Sequence, residues 1–172
     1  IEYGDADKFR SVAAKLKKVA RNAGSYAYMF DCSAKLCEAL AIKVTLGKQT
    51  RELYMKIKHG DEKTALEGKK EIKKLVAKSY KPLVKQLEAF YEAFKVQWYK
   101  ENKPFGFEIQ DIRIGGLIRR IKHCASDLDA LVKGKVSSLP ELEEYQLPAD
   151  VTGYYADTNN YSASVSANRL SW

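Results

Sequence analysis

Apolar side chains recur at intervals of three and four residues along most of the first 133 positions, the spacing that places them on one face of an α-helix. Residues that cap or end helices divide this pattern into four stripes: Asp5 and Asp61 can cap helix starts, and Gly24 and Gly134 supply stops. We therefore predict four principal helices. They cover residues 5–22, 27–58 and 109–133, with the third stripe running from 72 to 98.

The third stripe passes through Pro82 and keeps its mixed steps on both sides. A proline removes only its own N–H bond, here to the carbonyl of Lys78, so we predict one long kinked helix that Pro104 ends. The fourth stripe contains adjacent glycines, Gly115 and Gly116, which each cost about 1 kcal/mol relative to alanine in a helix interior. We expect something to approach the backbone closely there.

Neither strand-like alternation nor a repeat unit appears, so the predicted fold class is all-α. The helical bundle is expected to occupy residues 1–147 as one domain. Residues 148–172 are rich in Asn, Ser and Tyr and cannot bury a core alone, which predicts an irregular C-terminal tail. Its large side chains favour packing on the bundle or on a missing catalytic domain, with a loose tail as the open alternative. Because the chain begins at Ile1 without a methionine, we expect it to be a piece of a longer polypeptide.

Positive charge is concentrated between residues 48 and 85. This stretch contains twelve Lys or Arg and five Asp or Glu, so it holds +7 of the net charge of +8. A basic stripe of this kind is either a solvated helix face or a surface for a polyanion. The cluster is nearly all lysine and no nucleic-acid motif accompanies it, which makes nucleic acid an unlikely partner. No apolar run reaches the roughly 20 residues that a membrane span needs.

Titratable and nucleophilic residues do not form a recognisable active site. The three cysteines lack CxxC spacing and are expected to be free thiols, which favours a reducing compartment and a cytoplasmic location. His123 and Cys124 are neighbours whose side chains point about 100° apart on a helix, a poor geometry for a nucleophilic pair. The adjacent Asp61 and Glu62 are interpreted as helix capping rather than catalysis. No catalytic residue, metal ligand or cofactor is therefore predicted.

Residues 98–113 carry more unusual chemistry than a simple connection between helices requires. Phe105 and Phe107 flank Gly106 and are expected to act as hydrophobic anchors, either for a partner or within an ordinary intramolecular hairpin. Asp111 and Arg113 are candidates for a fixed ion pair or for contacts with a partner. The candidate interface or cleft-rim residues are Trp98, Asn102, Lys103, Phe105, Phe107, Glu108, Asp111 and Arg113.

The run from Gln97-Trp98 through residues 101–108, then Asp111-Ile112-Arg113 and residues 115–117, resembles the C-terminal helical region of bacterial β-N-acetylhexosaminidases in glycoside hydrolase family 20. Residues 2–5, 41–47 and 140–144 and the end near Asn168 are similar to the same proteins. The resemblance implies a parent with a small α/β domain, a catalytic (β/α)8 barrel and this helical domain behind it.

In that family the barrel removes terminal N-acetylhexosamine from glycans by a substrate-assisted route, in which the 2-acetamido oxygen attacks C1. The catalytic Asp-Glu dyad belongs to the barrel, and no residue of this chain matches it. The resemblance thus implies a non-catalytic domain that supports the barrel, the cleft rim or a dimer interface. Its partners would be the barrel of the same parent or a second copy, with the glycan reached through the parent. The alternative is a basic helical binding module for nucleic acid or another polyanion.

Overall fold

A computed structural model describes residues 5–143 of the 172-residue chain. These residues form helices and turns and contain no strand, which confirms the all-α prediction. A 3-10 turn, Gly24–Tyr26, precedes the second helix, and a π-helical turn, Val76–Tyr80, joins the third and fourth. The α-helices are α1 (Ala6–Ala20), α2 (Ala27–His59), α3 (Glu62–Leu75), α4 (Lys81–Glu101), α5 (Phe107–Val132) and α6 (Pro140–Glu143).

The predicted capping residues lie at the helix boundaries. The Asp5 carboxylate accepts the backbone N–H groups of Asp7 and Lys8, and the Asp61 carboxylate accepts that of Thr64 at 2.8 Å. Gly134 has φ +70° beyond the end of α5, where its N–H and that of the next residue close onto carbonyls of the last turn. These contacts satisfy terminal backbone groups that the helices themselves leave open.

The long helices pack antiparallel, each against its neighbour in the chain. α2 packs against α1 and against the continuous α3–π–α4 helix, and α5 packs on that long helix. Three principal interfaces result, and the core is concentrated along α2, the long helix and α5. The core cluster consists of Ala39, Leu46, Tyr54, Ile72, Tyr80, Leu83, Leu87, Ile121, Leu128 and Leu131.

The interruption predicted at Pro82 takes the form of the π-helical turn directly before it. The N–H of Lys81 donates to the carbonyl of Val76, five residues back, instead of the usual four. This widened turn lets Pro82 occupy the first turn of α4, where a missing N–H is tolerated. Helical structure thus continues without a break from residue 62 to 101, as the unbroken stripe predicts.

A segment after α5 returns across α2 and is fastened to it by Tyr54. The buried Tyr54 hydroxyl accepts the backbone N–H of Leu139 at 3.0 Å and donates to the carboxylate of Glu143. Lys58 lies 2.9 Å from the same carboxylate. We call this arrangement of Tyr54, Lys58 and residues 139–143 the clasp.

No described residue makes the close approach expected at the adjacent glycines of α5. A side chain added at Gly115 or Gly116 would meet nothing within 4 Å among the residues that the structure describes, so no other helix approaches the backbone there. The close approach occurs at Gly68, where a Cβ would lie 2.8 Å from Cγ1 of Ile57. Gly68 is buried between α3 and α2, a contact that spacing along one helix does not reveal.

The remaining structural expectations concern cysteines, membrane spans and the tail. Cys32, Cys37 and Cys124 are free thiols, of which Cys32 is buried and the others are half-buried. Within residues 5–143, no helix has the length and apolar character that crossing a bilayer needs. The predicted tail at 148–172 lies outside the described residues, as does the end of the predicted 1–147 domain.

Candidate functional site

The connection between α4 and α5 is a tight turn built by two side-chain hydrogen bonds and one glycine in the left-handed conformation. The indole N–H of Trp98 donates to the carbonyl of Lys103 at 2.9 Å, which closes the turn after the end of α4. Gly106 begins α5 with φ +100°, a conformation that L side chains rarely adopt. The carboxylate of Glu108 reaches back to accept the N–H of Gly106 at 2.8 Å. The chain therefore reverses direction at a fixed angle.

Phe107 anchors this hairpin from the inside. Its side chain is only 3% exposed and is surrounded by four aromatic rings of α4, whose centroids lie 5.4 to 6.0 Å from its own. The tilted arrangement of the rings is the favourable geometry for aromatic pairs. Phe107 is therefore held by contacts within the hairpin itself. The four rings belong to Tyr91, Phe94, Trp98 and Tyr99.

Phe105 has the opposite environment, although it is only two positions away. It is 88% exposed, the largest value among the exposed apolar side chains of the described chain. The left-handed conformation of Gly106 separates the two phenylalanines, since it turns one ring into the aromatic cluster and leaves the other in solvent. Phe105 is thus held outward by a turn whose own geometry is fixed.

Further apolar side chains are exposed at the same end of the bundle. The ends of α1 and α4 meet the starts of α2 and α5 here, and Lys100 of α4 lies 4.3 Å from the ring centre of Tyr28 on α2. We call this region the hairpin end. Besides Phe105, its exposed large apolar residues are Val19, Tyr26, Met29, Val96, Tyr99 and Ile112.

The predicted ion pair between Asp111 and Arg113 does not form. Residues two apart on a helix point away from each other, and the Asp111 carboxylate instead accepts the hydroxyl of Tyr91 at 2.6 Å. This hydrogen bond, together with partial burial, raises the pKa of Tyr91 to about 12. Arg113 is exposed and makes no ion pair with any residue from 5 to 143. Its charge remains available at the surface of α5.

The structure brings together some of the predicted residues and not others. Trp98, Phe107 and Glu108 build the turn, while the side chains of Asn102 and Lys103 are exposed on it. Sequence reasoning did not assign Tyr91, Phe94 and Tyr99 to the site. Their spacing with Trp98, at steps of three, four and one, was the signal that these rings share one face.

Groups with catalytic potential are held in structural roles. Burial raises the pKa of the Cys124 thiol, which keeps it protonated and poorly nucleophilic, and the neighbouring His123 faces Asp127 at 3.5 Å. Hydrogen bonds from Thr64 lower the pKa of Asp61, as the capping interpretation predicts. Within the described range, no three His, Cys, Asp or Glu side chains are grouped as metal ligands would be.

The pattern of residues around this hairpin carried the resemblance described above, and comparison with family models tests it. A model described as the Glycoside Hydrolase 20C C-terminal domain matches residues 2–160. The chain belongs to this family. No curated protein matches the chain. The match covers every helix of the 20C C-terminal domain described here, including the hairpin and the clasp.

Proposed function

We propose that this 20C C-terminal domain is a non-catalytic docking module of a bacterial, cytoplasmic β-N-acetylhexosaminidase, and that its hairpin end packs against the catalytic domain of the same polypeptide. The catalytic domain would remove terminal N-acetylhexosamine from glycans. The helical domain would hold that catalytic domain in a stable position. Family membership supports the parent enzyme, and the hairpin end supports the docking surface.

The observation that carries the proposal is the way Phe105 is presented. An 88% exposed ring is unfavourable in water, and burying a phenylalanine side chain is worth about 1.5–3 kcal/mol. The contacts at Trp98, Gly106 and Glu108 fix the turn before any partner binds. The turn therefore loses little conformational entropy when a partner covers Phe105, which is how preorganised contacts gain affinity.

The distribution of exposed apolar residues points to the same surface. Seven of the eleven exposed large apolar side chains in residues 5–143 lie at the hairpin end, so they are concentrated rather than scattered. Single exposed apolar residues are ordinary on a soluble domain, whereas a concentration of them is typical of an interface. Exposed charged side chains, including Lys103 and Arg113, occur beside these residues in the chain.

The two open glycines of α5 add a third argument. Ile112, Gly115 and Gly116 are exposed at helical spacing, so they share one face that continues from the hairpin end. The absence of side chains there weakens the helix and leaves its backbone accessible. No residue of the described chain contacts the backbone there, and a docked catalytic domain would pack against it.

The test uses the full-length enzyme and a matched pair of variants. Phe105→Ser removes the ring at the hairpin end, and Leu66→Ser removes an exposed apolar side chain from α3, near the other end of the bundle. We expect Phe105→Ser to lower the melting temperature of the full-length enzyme by roughly 3 °C or more and Leu66→Ser to leave it unchanged. In the 172-residue chain alone, neither variant should be destabilised.

Three readouts decide the outcome: melting temperature, kcat/KM on a nitrophenyl N-acetylglucosaminide, and molecular mass in solution. Equal effects of both variants on the full-length enzyme would overturn the docking surface. If Phe105→Ser converts a dimer to a monomer and leaves the melting temperature unchanged, the hairpin end contacts a second copy of the enzyme and not the catalytic domain. That result would overturn the proposed docking partner. Hydrolysis by the 172-residue chain alone would overturn the non-catalytic role.

A further inference from the structure

A second surface on the long helix has a very different character. Between residues 63 and 85 there are eight lysines, no arginine and two glutamates, a net charge of +6 within one stretch of helix. Seven of these lysines are exposed, and they cover a broad outer side of α3, the π turn and the start of α4. Lys73 and Lys81 border the groove between the long helix and α5, whereas Lys74 and Lys78 border the groove between the long helix and α2. We call this surface the lysine face; it comprises Lys63, Lys70, Lys73, Lys74, Lys78, Lys81 and Lys85.

The lysine face is not neutralised by the part of the chain that the structure describes. None of its seven ammonium groups forms an ion pair with residues 5–143, although eleven ion pairs are formed elsewhere in that range. Of the two glutamates between residues 63 and 85, Glu71 is turned to α2 and pairs with Lys56, and the exposed Glu67 forms no ion pair within residues 5–143. The positive charge is therefore directed to solvent.

The fold also adds charge to this face from another helix. A hydrogen bond from Lys133 and then the positive charges of Lys133, Lys135 and Lys81 hold the pKa of Asp129 below its ordinary value. Lys135, beyond the end of α5, and Lys81 of the long helix therefore both lie near Asp129. Lys81 and Asp129 line the same groove, and Lys133, Lys135 and Asp129 together add a net charge of +1 beside Lys81.

Geometry indicates a long ligand rather than a small one. From Lys63 to Lys85 the helix rises by about 33 Å at about 1.5 Å per residue. Lysines four residues apart repel each other and weaken the helix by a few tenths of a kcal/mol per pair. A linear polyanion lying along the axis would remove that repulsion over the whole length, whereas a single phosphate would reach only one or two ammonium groups.

The chemistry of the face distinguishes among polyanions. Proteins that bind single-stranded nucleic acid add exposed aromatic rings for stacking, but the only aromatic residue between 63 and 85, Tyr80, is buried in the core. Arginine, whose planar group binds phosphate with two hydrogen bonds, is missing from this stretch. Membrane-surface helices add a row of inserting apolar side chains, and here Leu66 is the single large one.

We propose that the lysine face binds an acidic polysaccharide, whose carboxylate or sulfate groups lie along the helix from Lys63 to Lys85. The binding is electrostatic and carries little sequence or linkage specificity. It holds an anionic polymer beside a domain of a glycoside hydrolase family, at the opposite end of the long helix from the hairpin. The inference uses none of the residues of the proposed docking surface and stands or falls separately from it.

The experiment measures binding of the 172-residue chain to fluorescent heparin, with neutral dextran, single-stranded DNA and vesicles containing phosphatidylglycerol as comparison probes. One variant replaces Lys70, Lys74, Lys78 and Lys81 by Gln. A control variant of equal net charge replaces exposed lysines elsewhere with Gln: Lys15, Lys18, Lys43 and Lys95. Circular dichroism verifies that both variants are folded.

We expect heparin to bind at 50 mM salt and to weaken steeply by 200 mM, as counterion release requires. The lysine-face variant should bind at least about tenfold more weakly and with a shallower salt dependence, while the control variant stays within about threefold of wild type. Equal losses in both variants would overturn the proposal, because net charge alone would then explain binding. Absence of heparin binding, or tighter binding to DNA or vesicles than to heparin, would also overturn it.

Discussion

Two glycines of this domain differ in whether their surroundings leave room for a side chain. Gly68 lies where α2 and α3 are in contact, and a methyl group there would meet Ile57 at 2.8 Å. Gly115 lies in the interior of α5 and has nothing within 4 Å. Packing requires the first glycine, whereas nothing within the described residues requires the second.

Gly68→Ala and Gly115→Ala should therefore have opposite effects on the 172-residue chain. Overpacking at Gly68 costs about 1–3 kcal/mol and outweighs the roughly 1 kcal/mol that alanine gains in a helix. Gly115→Ala keeps the gain and should raise the melting temperature by about 2–4 °C. Thermal unfolding followed by circular dichroism compares the two, and an increase for both would contradict the close contact at Gly68.

The buried hydrogen bond between Thr50 and Tyr80 predicts an asymmetry. The Thr50 hydroxyl donates to the carbonyl of Leu46 at 2.7 Å, so the hydroxyl of Tyr80, 2.8 Å away, must donate to Thr50. Tyr80→Phe should cost about 0.5–1.5 kcal/mol, because Thr50 keeps its partner. Thr50→Val should cost more, about 1–3 kcal/mol, because it leaves the buried Tyr80 hydroxyl without one. Urea unfolding of the two variants provides the measurement; a larger loss for Tyr80→Phe would contradict this geometry.

Single residues that act through their own neighbours were predictable. Asp5, Asp61 and Gly134 occupy their helix boundaries because capping depends on contacts within a few positions of the chain. The role of Gly68 was not predictable, because it depends on Ile57 of another helix. The same limit applies at Gly115 and Gly116, where helix propensity reveals a cost but not the surroundings.

The α4–α5 hairpin behaves as one element whose stability rests on Phe107. Phe107→Ala would empty a site lined by four aromatic rings and should cost about 3–5 kcal/mol. Phe105→Ala, two residues away, should change the stability of the 172-residue chain by less than about 0.5 kcal/mol, because the ring is already in solvent. Urea unfolding of both variants tests this, and similar losses would show that Phe105 is buried.

The clasp should make stability depend on pH in the acidic range. Lys58 first and Tyr54 second lower the pKa of Glu143, so the carboxylate stabilises the fold above its ordinary pKa and loses this effect as pH falls. Wild type should be more stable than Glu143→Gln at pH 7, and the difference should shrink towards zero between about pH 5 and pH 3. Unfolding free energies at several pH values give the answer; a difference independent of pH would contradict a role for the charge.

The periodicity of the apolar residues predicted the number, the order and the approximate bounds of the long helices. It also predicted that the long helix continues through Pro82, since the apolar stripe continues there. The π-helical form of the interruption was not predictable, because it depends on how the Val76 and Lys81 backbone groups rearrange around the proline. The clasp was not predicted either, because Tyr54 is separated along the chain from Leu139 by 85 positions and from Glu143 by 89 positions.

Across the whole molecule, stability should not be uniform. α1 packs almost wholly on α2, and of its fifteen residues only Ala13 is buried, whereas α2 is covered from two sides. We therefore expect α1 to open without global unfolding. In native-state hydrogen exchange, its slowest amides should exchange at least about tenfold faster than those around Leu46 in α2. Equal rates would show that α1 unfolds only with the rest.

The site was partly predictable at this scale. The stretch at 98–113 was singled out from its composition, and the family match confirms the resemblance that it carried. Which of its aromatic rings are inside and which are outside was not predictable, because Phe105 and Phe107 are the same residue type on either side of Gly106. Only the left-handed turn at Gly106 decides between them.

The length of α2 has a mechanical consequence. Its 33 residues form an unbroken rod of about 50 Å, and the long helix beside it runs the same course in the opposite direction. Two such rods, laced together along their sides, bend far less than a loop or a linker of equal length. A partner bound at one end of this helix pair is therefore held at a fixed distance from a partner bound at the other end.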